Sequence, residues 1–268
     1  MEKTLSKATR LAETVIREAG SIAKENFDRI LEFNFKDENG DIVTEIDIKI
    51  EKFITERIAE SFPDHTIQGE ESGSNGVDSD WIWQIDPLDG TNNFVIGLPI
   101  FSSSITLIYK HEPVLGVIYE PMVDRLYLTI KNEGSFCNGK KMHLKESNNK
   151  NLNIGWIQGH HVKNEQAAVS LRQHIDLNCK RMMRLWAPTL HWTMLAKGEI
   201  DGIVLYNSVG EDLYSGLLMV KEAGYLVTDF EGNEFTGMSD EPYLIACHPN
   251  NKETFLSLVH EGLKSYAR

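Results

Sequence analysis

The sequence is poor in cysteine, in positive charge and in long apolar runs. Its three cysteines, Cys137, Cys179 and Cys247, stand far apart in 268 residues and are odd in number. That excludes a disulfide framework or a cysteine-built zinc site, and it suits a reducing compartment. No stretch approaches the roughly 18 consecutive apolar residues of a membrane-spanning helix. The opening MEKTLSKATR lacks the apolar core of a secretion signal. Lysine and arginine total 27 against 40 acidic residues, a net charge of −13. An anion of that size is a poor partner for nucleic acid or for an anionic membrane surface. The expected partner is therefore a small molecule, and the expected location the cytoplasm. The hydrophobic share of 41% and aromatic share of 9% suffice for a core and exclude global disorder.

What is present is patterned. Leu5, Ala8, Ala12, Val15, Ala19, Ile22, Ala23 and Phe27 recur at helical spacing over 5–30, and Ile46, Ile50, Phe53, Ile54 and Ile58 do so up to Pro63. Asn39-Gly40 marks a turn between them. Asp47 then lies near the head of the second helix. The polar stretch GEESGSNGVDSD reads as a loop, and Trp81–Ile85 as a strand. Strand-like runs near 102–109, 114–120 and 125–130 predict an antiparallel meander. Later, strand-type runs (152–157, 202–206, 225–229, 242–247) alternate with helical ones (164–175, 188–198, 211–223, 250–265), which predicts an α/β layer. The expected organisation is an N-terminal α+β unit over 1–145 and a C-terminal α/β unit over 146–268, packed as one body.

The chemistry concentrates in Asp86-Pro87-Leu88-Asp89-Gly90-Thr91-Asn92-Asn93-Phe94. Pro87 fixes φ and is expected to stop the strand. Gly90 permits a sharp bend. Two carboxylates three positions apart on such a bend can face one small volume, with the N–H groups of Gly90 and Thr91 turned to an anion. The plainer alternative is an Asx turn with solvated aspartates. Glu70-Glu71 in GEESG and Asp47 in VTEID each also read, taken alone, as surface charge. Gathered together, such carboxylates repel: a pair about 4 Å apart costs roughly 4 kcal/mol at an effective dielectric of 20. A cluster near neutral pH therefore needs cations, and oxygen-only ligands select Mg²⁺ first, then Mn²⁺ or Ca²⁺.

With IVTEID and GEES upstream, WQIDPLDGTNNF resembles the inositol monophosphatase family of magnesium-dependent, lithium-sensitive phosphatases. The likeness continues through GVIYEP, GSFCNGKK and VGEDLYSGLLMVKEAGYLVTD. It implies a layered α/β/α/β/α sandwich, a homodimer and two to three Mg²⁺ ions, with Mn²⁺ as a substitute. Matched residue by residue, it implies that Glu70, Asp86 and the Leu88 carbonyl hold one metal, and that Asp86, Asp89 and Asp212 hold a second. Asp47 and Thr91 match the pair that orients the attacking water, with Glu70 beside them. Gly90 and Thr91 match phosphate donors, and Lys36 the loop lysine that closes near the site. The implied reaction is hydrolysis of a small phosphomonoester by metal-activated water, without a covalent intermediate.

The substrate side departs from the family. Glu211 replaces the tryptophan that usually precedes the second-site aspartate. Leu205 stands where the inositol enzymes have an acid, and Ala187-Pro188-Thr189 takes the place of a Gly-Thr-Ala stretch. Arg184, Trp186 and Tyr206 suit a larger or more anionic substrate. Arg184, Thr189 and Glu211 are the candidate substrate contacts, with Glu211 a possible stand-in for the missing ring-binding acid. Trp192 also reads as core. The nine histidines lie outside every motif and read as ordinary core or surface residues. Within the class, fructose-1,6-bisphosphatase, 3′-phosphoadenosine phosphate phosphatase and histidinol-phosphate phosphatase activities are the alternatives. A metal-binding regulatory protein without turnover is a further one. The two-residue gap between Asp86 and Asp89, deep in the chain, argues against a haloacid-dehalogenase phosphatase.

Overall fold

The computed structural model describes residues 2–29, 32–38, 40–146 and 151–266. Asn39 of the expected turn lies outside the described residues, as do Ile30 at the end of the first helical pattern and residues 147–150 beside the expected unit boundary. Helices are α1 (Glu2–Asn26), α2 (Glu45–Ser61), α3 (Thr91–Val95), α4 (Gln166–Asn178), α5 (Pro188–Ala196), α6 (Leu213–Glu222) and α7 (Lys252–Tyr266). None is long and apolar enough to cross a membrane.

The first sheet has eight strands, in the order Lys140–Lys141, Gly134–Cys137, Arg125–Ile130, Glu112–Glu120, Ser102–Tyr109, Trp81–Asp89, Thr66–Gly69 and Gly73–Ser74. Its neighbours are antiparallel except for Thr66–Gly69, which runs parallel to Trp81–Asp89. The second sheet has five strands, ordered Arg181–Met183, Asn153–Gln158, Gly202–Tyr206, Tyr243–Cys247 and Leu226–Asp229. The first three are parallel, and Tyr243–Cys247 is antiparallel to both its neighbours. Strands through Lys141 belong to the first sheet and strands from Asn153 to the second.

Packing orders these parts into five layers. α1 and α2 cover one face of the first sheet, and Ile46, Ile50, Ile54 and Ile58 share a buried cluster with Trp83 and Ile85. α5 and α6 lie between the sheets, while α4 and α7 pack on the far side of the second. The central strand Trp81–Asp89 is thus covered on both faces, which is why WIWQI shows no alternation of apolar and polar residues. The fold is the expected α/β/α/β/α sandwich.

The meander and the alternating C-terminal half match the sequence patterns. Several short elements do not. Phe33–Phe35 and Ile42–Thr44 form a two-stranded ribbon, Arg181–Met183 adds an edge strand, and Thr66–Gly69, Gly134–Cys137 and Lys140–Lys141 extend the first sheet, as does Gly73–Ser74 from within the expected loop. With two to four residues each, they are too short for periodicity to register.

Candidate active site

Pro87 does not stop its strand. Asp86 pairs with Ser104 and Asp89 with Ser102, so the stretch Asp86–Asp89 carries one residue more than its partner. This is a β-bulge, and Pro87, which has no N–H to lose, sits inside it. The bulge lifts the end of the strand out of register and turns both aspartates into one cleft. The Ser103 hydroxyl donates to the Pro87 carbonyl (2.7 Å), and the Leu88 N–H to Asp86 Oδ1 (3.0 Å). Gly90 follows at φ 95°, the left-handed region, where a Cβ would stand 3.0 Å from the Ile100 carbonyl oxygen. Only glycine makes that bend without strain. α3 starts at once.

Asp47 comes from the first turn of α2. Thr44 caps this helix with a capping box: its hydroxyl accepts from the Ile46 N–H (3.1 Å), and Asp47 Oδ2 accepts from the Thr44 N–H (2.9 Å) and hydroxyl. The other oxygen, Oδ1, faces Thr91 Oγ1 at 2.8 Å, and Thr91 Oγ1 is also 2.9 Å from the Leu88 carbonyl oxygen. A threonine hydroxyl has one proton. The bond to a carboxylate is the stronger of the two, so the proton goes to Asp47 and the Leu88 carbonyl remains free to serve another donor or a cation. Asp47 is buried, which raises its pKa against the Thr44 and Thr91 donors that lower it.

Glu70 stands on the loop after Thr66–Gly69, and the sequence gives no hint of what shapes that loop. Glu51 of α2, buried to 2% exposure, accepts from the Glu71 N–H (2.7 Å) with one oxygen and from the Ser72 N–H (2.8 Å) with the other. Gly69 makes room for it: a Cβ there would lie 2.4 Å from the Glu51 carboxyl carbon. Lys36 bridges Glu70 and Glu71 at 2.6 Å each. Burial alone would lower the Lys36 pKa, but the two carboxylates outweigh it and raise the ammonium above its ordinary value.

Asp89 and Asp212 are held from the second half of the chain. The Thr189 N–H (2.8 Å) and hydroxyl both donate to Asp89 Oδ2. Thr189 lies in the first turn of α5, behind Pro188, so Asp89 also caps that helix at its positive end. Thr189 is wholly buried, and it supports Asp89 rather than lining the cleft. Asp212 stands at the head of α6, and the Ser215 hydroxyl donates to its carbonyl (2.7 Å). Glu211 beside it accepts from Gln68 Nε2 (3.0 Å) and also lines the cleft.

The electrostatics are those of a crowded acidic pocket. Asp86 is raised well above its ordinary value, first by burial and then by the charges of Glu70, Asp89 and Asp212. Asp212 is raised for the same reasons, by burial and by Asp89 and Glu70. Burial pushes Asp89 up to about 7 despite its Thr189 donors. Among the described residues, no three acidic, histidine or cysteine side chains already close round one point as a metal cage. Glu70, Asp86, Asp89 and Asp212 nonetheless line one cleft. Their donor set is all oxygen, and among the described residues no lysine or arginine forms an ion pair with Asp86, Asp89 or Asp212. In kind, that fits a hard divalent ion such as Mg²⁺.

Lys36, Glu70, Asp86, Leu88, Asp89, Gly90, Thr91, Glu211 and Asp212 all line this cleft. Arg184 does not; it lines a second cleft alongside. Tyr206 is buried in an aromatic cluster with Trp156, Phe230 and Tyr243, and lines neither. Trp192 is wholly buried against Gly216 of α6. His160, read with the other histidines as an ordinary core or surface residue, lines both clefts. So does Trp186, a residue 61% exposed with a φ of 55°. A bulky residue held there costs about 1–3 kcal/mol. The loop is pinned by Asn93, which donates to the Leu185 carbonyl (2.6 Å) and the Ile100 carbonyl (2.7 Å).

Residues 4–264 match the model of the inositol monophosphatase family. A fructose-1,6-bisphosphatase/inositol-1-monophosphatase of Aquifex aeolicus is 33% identical over 242 residues, 89% of this chain and 90% of that protein. The Nus factor SuhB of Pasteurella multocida is 37% identical over 261 residues, 94% of this chain and 96% of the relative. Among solved structures, the Thermotoga maritima IMPase superposes with a TM-score of 0.85 at 27% identity, covering 99% of this chain and 100% of that one.

Proposed function

The chain belongs to the inositol monophosphatase family, and on that premise we propose that it hydrolyses a small phosphomonoester with an activated water and no covalent intermediate. The observation that supports this most is the Thr91–Asp47 bond at 2.8 Å on the rim of a cleft that also holds Glu70, Asp86, Asp89 and Asp212. Thr91 Oγ1 gives its own proton to Asp47, so its lone pair is free to receive one from water. Asp47 is fixed by the Thr44 capping box and cannot swing away. Lys36 and the N–H groups of Gly90 and Thr91 are the groups available to an incoming phosphate. Bound magnesium would neutralise the carboxylates, polarise the phosphate and stabilise the leaving alkoxide. Asp86, Asp89, Asp212, Glu70 and the Leu88 carbonyl would hold it. The positions of two or three ions, the tolerance for Mn²⁺ and inhibition by Li⁺ belong to the same reading.

Phosphate release is the direct test. A panel of inositol 1-phosphate, fructose 1,6-bisphosphate, 3′-phosphoadenosine phosphate and histidinol phosphate, each with and without Mg²⁺, separates the candidate substrates. No release from any of them with Mg²⁺ supplied would leave a metal-binding protein without turnover. The same premise extends to a cytoplasmic homodimer, and light scattering of the purified protein reads the second part.

A further inference from the structure

One oxygen of Asp89 is fully used from behind the cleft. Oδ2 accepts from the Thr189 N–H (2.8 Å) and from the Thr189 hydroxyl. A carboxylate oxygen has two lone-pair sites, and these two donors fill both. Oδ1 is left for a cation. A further hydroxyl stands behind this pair. The bulge sets Asp89 opposite Ser102 in the sheet, and the Ser102 hydroxyl lies within hydrogen-bond distance of Thr189 Oγ1. Thr189 has one proton, and the carboxylate is the stronger acceptor. Thr189 therefore gives its proton to Asp89 and receives one from Ser102. The donors run in series from the strand Ser102–Tyr109 through the first turn of α5 to Asp89.

The arrangement is rigid. Ser102 and Thr189 are wholly buried, so water does not compete for these bonds. The Thr189 N–H follows Pro188 in the first turn of its helix, where it has no intrahelical partner to return to. Turning Oδ2 towards the cleft would break two bonds, both to a charged group. What this excludes is a cation held by both oxygens of Asp89. Mg²⁺ demands a small octahedral shell, met by single carboxylate oxygens and water. Ca²⁺ is larger, takes about six to eight oxygens and readily accepts both from one carboxylate. A carboxylate that offers one oxygen therefore loses more with Ca²⁺ than with Mg²⁺.

We propose that Thr189, backed by Ser102, is a metal-selectivity residue: by occupying Oδ2 it keeps Asp89 a one-oxygen ligand and biases the acidic cleft towards Mg²⁺ over Ca²⁺. Thr189 does not line the cleft and acts through Asp89, as a positioning residue. This deepens the reading of the cleft as a metal site and rests on Asp89 being one of its ligands.

The test reads binding and needs no substrate. Apparent affinities for Mg²⁺ and for Ca²⁺ come from the rise in melting temperature of the metal-free protein as each cation is added. Ser102 is near enough to Asp89 to favour its charged form, and could take over as donor if Thr189 alone were changed. The main variant is therefore Ser102→Ala combined with Thr189→Val, which removes both hydroxyls and keeps the N–H of position 189. Replacing both partners of a buried bond by apolar groups of similar shape costs little, so the variant should fold. Its preference for Mg²⁺ over Ca²⁺ should fall about tenfold through tighter Ca²⁺ binding, the worth of one hydrogen bond to a charged group. Thr189→Val alone should move the ratio the same way by a smaller factor. Thr189→Ser, which keeps the hydroxyl, should retain the wild-type ratio. On an Asp89→Asn background the double substitution should leave the ratio unchanged. Equal weakening of both cations would reduce the hydroxyls to a structural support and overturn the selectivity, as would an unmoved ratio with binding intact. If the wild-type protein binds neither cation, the metal reading of the cleft falls and this inference falls with it.

Discussion

Replacing Glu51 by glutamine should weaken the affinity for magnesium although Glu51 does not line the cleft. Its two oxygens accept from consecutive backbone N–H groups, those of Glu71 and Ser72, at 2.7 and 2.8 Å. A glutamine keeps one acceptor and turns an NH₂ against the other donor. Hydrogen bonds to a charged group contribute about 1.5–3 kcal/mol each, and an orphaned buried donor costs a similar amount. The side chain cannot back away, because the Gly69 backbone sits against it. The loop must shift, and Glu70 sits at its front. If half of a ~3 kcal/mol loss is expressed as misplacement of Glu70, metal affinity falls about tenfold, and if all of it is, about a hundredfold. The assay is phosphate release as a function of Mg²⁺ concentration, with urea unfolding measured on the same samples without metal. The expected result is a ten- to hundredfold rise in half-saturating Mg²⁺ with kcat largely recovered at saturation. A variant that loses stability but titrates with Mg²⁺ as the wild type does would refute the idea that Glu51 positions Glu70.

The remaining predictions are of three kinds. Asp89→Asn should lower kcat by at least about a hundredfold at saturating Mg²⁺, because a carboxylate shared between α5 and the cleft is lost; normal turnover would remove Asp89 from the site. Trp186→Gly should raise unfolding stability by about 1 kcal/mol, since glycine takes φ 55° freely and the exposed ring contributes little burial; chemical denaturation reads the sign, and a loss of stability would show that the ring is supported. His191 is buried, donates from Nε2 to the Met183 carbonyl (3.2 Å), and burial holds its pKa down at about 4. Its neutral form stabilises the fold fully above the ordinary value near 6.5, and this is lost as pH falls towards 4, by up to about 3 kcal/mol. The difference in urea stability between wild type and His191→Gln, taken at pH 7 and pH 4.5, should shrink on acidification; a constant difference would place the histidine's titration elsewhere.

Asp47, Glu70, Asp86, Asp89 and Asp212 were singled out because the short blocks that hold them resemble a family in order and spacing; taken alone, each reads as a turn or surface acid. Asp86 and Asp89 straddle a proline and precede a glycine, and Asp47 is the third residue after the Thr44 cap of a visibly periodic helix. Local chemistry of that kind is written over a few neighbouring residues. The supports were not legible. Glu51 acts across 20 positions, Thr189 across 100 and Gln68 on Glu211 across 143. Nothing in the periodicity of α2 tells Glu51 from an ordinary surface acid, because the reason for its burial lies in the Gly69 backbone of another strand. The three-residue edge strands were missed for want of length, and Pro87 was misleading because a proline ends a regular strand but fits a bulge.

The acidic cleft and the cleft beside it are supplied by different layers. Asp86 and Asp89 come from the end of the strand Trp81–Asp89, Glu70 from the loop after Thr66–Gly69, and Glu211 and Asp212 from the head of α6, where Asp89 caps α5 and Asp212 begins its own helix. Placing carboxylates at helix N-termini is favourable whether or not a cation is present, so the fold itself offsets part of their repulsion. Lys163 and Arg184 of the neighbouring cleft come instead from the loop after Asn153–Gln158 and from the segment before α5. Substitutions at 184–186 can therefore reshape the neighbouring cleft without replacing a single carboxylate of the acidic one. That separation is the physical reason why the acidic blocks say little about a substrate.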